Sequence, residues 1–86
     1  MRIPSVASRD FWRLYRRLPR DVRRLAGKAY KVWQQDPFHP SLHFKKVGDG
    51  LWSVRVGAHH RALGQFHDHR LVWAWIGTHA DYDRIL

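Results

Sequence analysis

The chain has 86 residues, enough for one domain with a modest core, and its five Trp, three Tyr and four Phe supply large buried areas that offset the small size. It contains no cysteine, which excludes disulfides and thiolate metal sites. No run approaches the ~20 apolar residues that a membrane span needs, and no leader segment is apparent. We therefore expect a soluble, cytoplasmic protein without disulfides.

The net charge of +9 is concentrated in the first part of the chain. Up to residue 40 there are ten Lys and Arg against three Asp, whereas the remainder has six against four. This excess favours a polyanionic partner: a nucleic acid, an acidic protein, or both in turn. A solvated basic surface without a partner is the alternative.

Two amphipathic helices are predicted in the N-terminal half, after an extended lead-in over residues 1–7. Ser8 is a suitable N-cap for the first helix, and Pro19 ends it. The second helix is predicted over about residues 20–34, because its apolar and basic residues fall on opposite sides at ~100° per residue. Asp36-Pro37 stops it.

From Leu42 onwards the apolar residues recur every second position, which is typical of strands. The predicted strands cover about residues 42–47, 51–56, 61–66 and 71–76, separated by turns at 48–50, 57–59 and 67–69. Residues 78–86 form a short tail with at most one helical turn. The sequence therefore predicts an α+β fold in which an N-terminal helical hairpin packs on a four-stranded antiparallel sheet.

Strand pairing across the predicted turns brings basic residues to one edge of the sheet. The turn near residue 68 sets Arg61 near Trp75, and the turn near residue 58 sets Arg55 opposite Ala62. The residues expected at this edge are Arg55, His59, His60, Arg61 and His79. The other histidine pair, His67 and His69, lies ~20 Å away at ~3.3 Å per residue, which argues against one metal site that draws on all these turns.

Two segments carry a resemblance to a known family. Residues 51–64 read Leu-Trp-Ser-Val-Arg-Val-Gly-Ala-His-His-Arg-Ala-Leu-Gly, and residues 76–83 read Ile-Gly-Thr-His-Ala-Asp-Tyr-Asp. Following two basic helices, this pattern resembles the RelE/ParE toxin superfamily, and HigB-like members in particular. The likeness extends over roughly residues 8–86 and implies a single toxin domain, 1–86.

The resemblance implies a function as the toxin of a type II toxin–antitoxin system. RelE-type members cut mRNA on the ribosome and are held inactive by a cognate antitoxin. By this likeness we expect an endoribonuclease without metal or other cofactor, whose partners are an acidic antitoxin, mRNA on the ribosome and ribosomal RNA. ParE-type members share the fold but act on DNA gyrase, so a non-catalytic gyrase inhibitor is an alternative. A degenerate RNA-binding member without activity is another.

The resemblance also nominates catalytic residues. Arg61 matches the arginine that opens the strand after the hairpin turn, and Arg55 matches the basic residue on the strand before it. His79 lies where the family has Arg or His after the last strand, and Tyr82 matches the C-terminal tyrosine more loosely. The chain departs from RelE at Ser53, where RelE has a second lysine, and it has no glutamate to act as a base.

The chemistry of RNA cleavage suits these residue types. Arginine presents a fixed fork of charged donors to phosphate oxygens, and histidine can take or give a proton near neutral pH. We expect Arg61 and Arg55 to hold the phosphate and His79 to act as acid or base, assisted by Tyr82 or His60. RNA contacts outside the chemistry are predicted at Lys45, Lys46, His60, Arg23, Lys28 and Lys31. Trp52, Trp73 and Trp75 are expected in the core, with room for one of them at the rim to stack on a base.

Overall fold

The computed structural model describes residues 2–86, which form three helices and a five-stranded sheet. The elements in chain order are β1 (Ser5–Ala7), α1 (Arg9–Arg16), α2 (Arg20–Gln35), a 3₁₀ turn (Pro40–Leu42), β2 (Lys45–Gly48), β3 (Leu51–Val56), β4 (His60–His67), β5 (Arg70–Thr78) and α3 (His79–Ile85). The predicted α+β class is confirmed. None of the helices in residues 2–86 is long and apolar enough to cross a membrane.

The sheet differs from the predicted one in two ways: it has a fifth strand, and that strand makes it a mixed rather than an antiparallel sheet. Its order is β1-β5-β4-β3-β2, with β1 parallel to β5 and the other pairs antiparallel. From the sequence only an extended lead-in is predicted here, because three residues beside Pro4 carry too little pattern to predict a strand. Proline is tolerated since β1 is an edge strand and the Pro4 carbonyl accepts a hydrogen bond from the Leu71 amide at 2.9 Å. Met1 lies outside the described residues.

The two N-terminal helices begin as predicted but are not packed as a closed hairpin. The Ser8 hydroxyl caps α1 by accepting from the Phe11 amide, and Pro19 is the N-cap of α2. Helix α1 packs on β5 and α2 packs on β3. An apolar groove of about 420 Å³ lies between them. Trp12 and Tyr30 line it and are each at least 40% exposed.

The core lies between these helices and the sheet. Trp33 of α2 is 1% exposed and meets Trp73 of β5 edge-on, with 5.2 Å between ring centroids. The remaining buried members of the cluster are Leu42, Phe44, Val54, Val56, Ala62, Leu71 and Ile76. Large-to-small changes at aromatic positions of such a core cost about 3–5 kcal/mol. The helices therefore fix one face of the sheet and leave the opposite face for other roles.

The strand register differs from the prediction by one or two positions. Arg55 pairs with Arg61 rather than with Ala62, and Arg61 pairs with Gly77 rather than with Trp75. One position of the second difference is already present beside the turn, where His67 pairs with Arg70, and the other arises because β4 and β5 change register between Leu63 and Gly64. Such an irregularity leaves no clear sequence signal. Residues directly opposite in an antiparallel pair share a face, so Arg55 and Arg61 emerge on the same side.

The predicted C-terminal tail is a complete short helix. Thr78 caps α3, since its hydroxyl accepts a hydrogen bond from the Asp81 amide at 3.1 Å. The His79 amide donates to the His59 carbonyl at 2.8 Å, which ties the start of the helix to the β3–β4 turn. That turn contains Gly57 in the left-handed region, at a φ of 61°. Helix α3 is thereby held beside β4 and β5.

Candidate functional site

The site is built around a buried arginine at the start of β4. The Arg61 side chain leaves the sheet on the face opposite α1 and α2 and is 6% exposed. Its Nε donates to the Ser53 hydroxyl at 2.7 Å, and its Nη2 donates to the His43 carbonyl at 3.3 Å. His43 adopts a left-handed conformation with a φ of 44°. These bonds fix the plane of the guanidinium.

The Arg61 charge is not balanced by a carboxylate. Among residues 2–86 the ion pairs join Asp10 with Arg13, Asp83 with His79, and Asp81 with Arg84, and none includes Arg61. A guanidinium has five N–H donors, of which two are engaged by Ser53 and His43. Burying a cation is costly unless an anion or a full set of acceptors compensates it. The site is therefore complementary to an anion.

Helix α3 supplies an aromatic ring that covers this cation and an imidazole next to that ring. The ring centroid of Tyr82, which is 8% exposed, lies 5.1 Å from the guanidinium carbon of Arg61. The Tyr82 ring in turn lies 5.8 Å from that of His79. His79 Nδ1 is 3.1 Å from an Asp83 carboxylate oxygen, so Nε2 is the ring nitrogen available to a substrate. Arg61, Tyr82, His79 and Asp83 thus form one continuous group.

Arg55 lies directly across from Arg61 on β3 but is held differently. Its side chain is exposed, and its Nε donates to the Gly57 carbonyl at 3.1 Å. The two guanidinium groups share a face, as their pairing requires. Arg55 can reach an anion at Arg61 from the solvent side, and its role as a second phosphate ligand stays a prediction.

The predicted RNA contacts near the site fall on different faces. Lys45 pairs with Ser53 and therefore shares the Arg61 face. Lys46 pairs with Trp52, on the core side, although the lysine itself is exposed at the edge of the sheet. His60 pairs with Val56, which is also on the core side. Only Lys45 of the three joins the site directly.

The predicted contacts on α2 lie on the far side of the sheet from Arg61. Lys28 and Lys31 are exposed on this helix. Arg23 has a structural role, because its Nη1 donates to the carbonyls of Leu18 at 3.2 Å and Arg16 at 3.4 Å, at the end of α1. Whether these cations contact RNA stays a prediction, but they would do so on a separate surface.

Two residues at the site have positions that were not predicted from the sequence. Ser53 was noted only as a departure from lysine, whereas its fully buried hydroxyl positions Arg61. Trp75 was expected in the core, but it lies on the Arg61 face with its indole over Gly77. The register would have indicated both, since Ser53 and Trp75 each pair with Leu63. No group of three or more potential metal ligands occurs within residues 2–86.

Comparison with solved structures identifies the same fold in several toxins. The chain matches a RelB–RelE antitoxin–toxin complex from Methanococcus jannaschii with a TM-score of 0.73 and 14% identity, covering 94% of this chain and 99% of that chain. It matches YafQ from E. coli with a TM-score of 0.72 and 12% identity, covering 95% and 98%. It matches the isolated E. coli RelE toxin with a TM-score of 0.67 and 14% identity, covering 98% of this chain and 99% of that chain.

These identities show a shared fold, and the sequence itself shows the family. A search of curated proteins found no match. The family model described as a ParE-like toxin domain matches residues 20–84, from the start of α2 to the last turn of α3. This range includes Ser53, Arg61, His79 and Tyr82. The chain therefore belongs to the ParE-like toxin domain family, within the RelE/ParE toxin superfamily.

Proposed function

We propose that this protein is the toxin of a type II toxin–antitoxin system and that it cleaves mRNA on the ribosome without a metal ion. The observation that carries the proposal is the buried, uncompensated guanidinium of Arg61 beside the His79–Asp83 pair. A phosphodiester is an anion of the right geometry for a guanidinium fork. The His79 imidazole, next to the Tyr82 ring that covers this guanidinium, offers the proton transfer that RNA cleavage requires.

In the proposed reaction the 2′-hydroxyl attacks the adjacent phosphorus and the 5′-oxygen leaves, producing a 2′,3′-cyclic phosphate. Arg61, with Arg55 from the solvent side, offsets the charge that develops on the phosphate oxygens. His79, with its ring oriented by Asp83, either takes the proton of the 2′-hydroxyl or gives a proton to the leaving 5′-oxygen through Nε2, and solvent water completes the other transfer. Because Tyr82 covers Arg61, its ring moves aside or lies along the bound nucleotide when the phosphate enters.

The proposed protein partner is an acidic cognate antitoxin. The matched structure from Methanococcus jannaschii and another from Pyrococcus horikoshii are toxin–antitoxin complexes. The apolar groove between α1 and α2 and the basic side chains of both helices are complementary to an acidic amphipathic segment. Co-expression with the product of the neighbouring reading frame tests this, and Trp12→Ser and Tyr30→Ser are expected to weaken the complex.

A second candidate function is inhibition of DNA gyrase without catalysis. It is favoured by the family model, which describes a ParE-like domain. This function predicts that the purified protein blocks supercoiling by gyrase and leaves RNA intact. Normal supercoiling in its presence would exclude it. A third possibility is a degenerate RNA-binding member, which would bind RNA in a salt-dependent manner without cutting it.

The nuclease proposal is tested with purified protein, ribosomes and an mRNA that carries a single 2′-deoxy nucleotide. The wild-type protein is expected to cut the all-ribose mRNA and to leave a 2′,3′-cyclic or 3′-phosphate end. The 2′-deoxy substitution should abolish cleavage at that nucleotide while neighbouring cuts persist. Cleavage at the 2′-deoxy nucleotide would contradict the proposed mechanism, and no cleavage of either mRNA would contradict the activity.

A further inference from the structure

Trp75 differs in its surroundings from the other four tryptophans. Trp33 and Trp73 are buried in the core, and Trp52 packs against it. Trp75 is neither part of the core nor packed against it. Trp12 is paired edge-on with Phe11 on α1. Within residues 2–86, Trp75 has no aromatic ring as a neighbour at pairing distance. Packing in the core between the helices and the sheet therefore does not explain this side chain, whose cross-strand neighbour on the outer face is the buried Leu63.

The indole of Trp75 is laid along its strand towards the Arg61 site. A Cβ atom added to Gly77 would lie 2.5 Å from Cζ2 and 2.9 Å from Cη2 of this indole. The six-membered ring therefore occupies the space above Gly77, which a larger residue would fill. Gly77 is the direct partner of Arg61 across the β4–β5 ladder, so the ring and the guanidinium share one face at diagonal positions.

The surroundings of this ring are basic and contain no acid from the sheet. Lys45, Arg55 and Arg61 share its face of the sheet. Strands β2 to β5 contain no Asp or Glu. Trp75 is half-buried, so part of its surface remains open to a ligand. Partly exposed aromatic rings bordered by cations are the arrangement with which proteins bind single-stranded nucleic acids.

We propose that Trp75 is a stacking platform for a base of single-stranded RNA, next to the nucleotide phosphate that Arg61 binds. This inference rests on the proposed RNA function and adds a base-recognition subsite to it. The ring supplies affinity that requires a base to be present, whatever its identity. Arg61, Arg55 and Lys45 supply affinity for the phosphate chain. Because every base has a flat face, the subsite tolerates sequence variation.

The test measures binding of a short labelled 2′-O-methyl RNA, which cannot be cleaved by its own 2′-oxygen, and of an abasic chain of the same length. Wild-type protein is expected to bind the RNA more tightly than the abasic chain. Trp75→Leu should weaken RNA binding about 5- to 150-fold and leave abasic binding unchanged. For Trp75→Leu, the slope of log RNA affinity against log salt concentration should equal that of the wild type, since stacking releases no counterions.

Three further variants separate stacking from folding. Trp75→Tyr retains a ring and should retain most of the preference for RNA over the abasic chain. Gly77→Ala retains the indole but displaces it, so it should weaken RNA binding selectively. Trp12→Leu removes an exposed tryptophan on the other side of the sheet and should bind both ligands as the wild type does.

The outcomes distinguish this inference from the proposed function. If Trp75→Leu and Gly77→Ala both bind RNA as tightly as the wild type while Arg61→Gln binds weakly, the platform is wrong and the phosphate site stands. Equal wild-type affinity for RNA and the abasic chain also overturns the platform. If the wild type binds neither ligand and cuts no mRNA, the proposed function fails as well.

Discussion

Ser53 and Arg61 form the shortest side-chain hydrogen bond of the site, with 2.7 Å between the serine hydroxyl oxygen and Nε of the arginine. Both residues are buried, so bulk water does not compete for this bond. The small side chain of the serine leaves room for the guanidinium to lie over the strand. The serine hydroxyl thus orients the arginine.

Ser53→Ala should destabilise the protein and misalign Arg61. Removing the acceptor of a buried, charged donor costs about 1–3 kcal/mol. We expect a lower urea midpoint with an unchanged slope, together with reduced mRNA cleavage. Ser41→Ala removes an exposed hydroxyl and should change stability by about 0.5 kcal/mol or less. Full cleavage by a stable Ser53→Ala protein would contradict a positioning role.

His79→Ala should abolish most of the cleavage without unfolding the protein. Its side chain is exposed, and the pair with Asp83 is an i, i+4 surface contact worth about 0.3–0.5 kcal/mol. A general acid or base contributes about 10²–10⁴-fold in rate, and a loss of that size is expected under single-turnover conditions. Asp83→Asn should give a smaller loss, because it removes only the orienting carboxylate. Asp81→Asn, on the same helix but paired with Arg84, serves as the control and should cleave normally.

Tyr82 can act through its hydroxyl or only through its ring, and two variants separate these roles. Tyr82→Phe retains the contact with Arg61 and removes the hydroxyl. If the ring is the functional part, Tyr82→Phe should cleave at near the wild-type rate. Tyr82→Ala exposes the guanidinium and should bind RNA with altered affinity and cleave poorly. A large loss in Tyr82→Phe would instead assign the hydroxyl to the proton transfers.

Lys45 and Lys46 are a matched pair of neighbouring cations on opposite faces of the sheet edge. Because Lys45 shares the Arg61 face, Lys45→Ala should reduce the slope of log affinity against log salt by about 0.7 for single-stranded RNA. Lys46→Ala should leave the slope nearly unchanged. Titration of uncleavable RNA at several salt concentrations measures both. Equal effects of the two substitutions would show that the RNA path includes both faces.

The sequence predicted the elements with strong periodicity and missed those fixed by tertiary contacts. The second helix was predicted to within one residue, since its apolar and basic sides are cleanly separated. Strand β1 was not predicted because its parallel pairing with β5 depends on residues more than sixty positions away. Arg61, His79 and Tyr82 were nominated from the family resemblance and lie together in the structure. Ser53 required the β3–β4 register, and Trp75 required the β4–β5 register, which the irregularity at Leu63 and Gly64 obscures.

The most direct test of the nuclease mechanism maps the 5′ ends of cellular mRNA after brief induction of the protein. The wild type is predicted to create new internal ends within translated frames. His79→Ala, whose exposed position spares the fold, and Arg61→Gln should create none at equal protein levels. New ends that persist in both variants, or growth arrest by the wild type without any new ends, would contradict catalysis at Arg61 and His79.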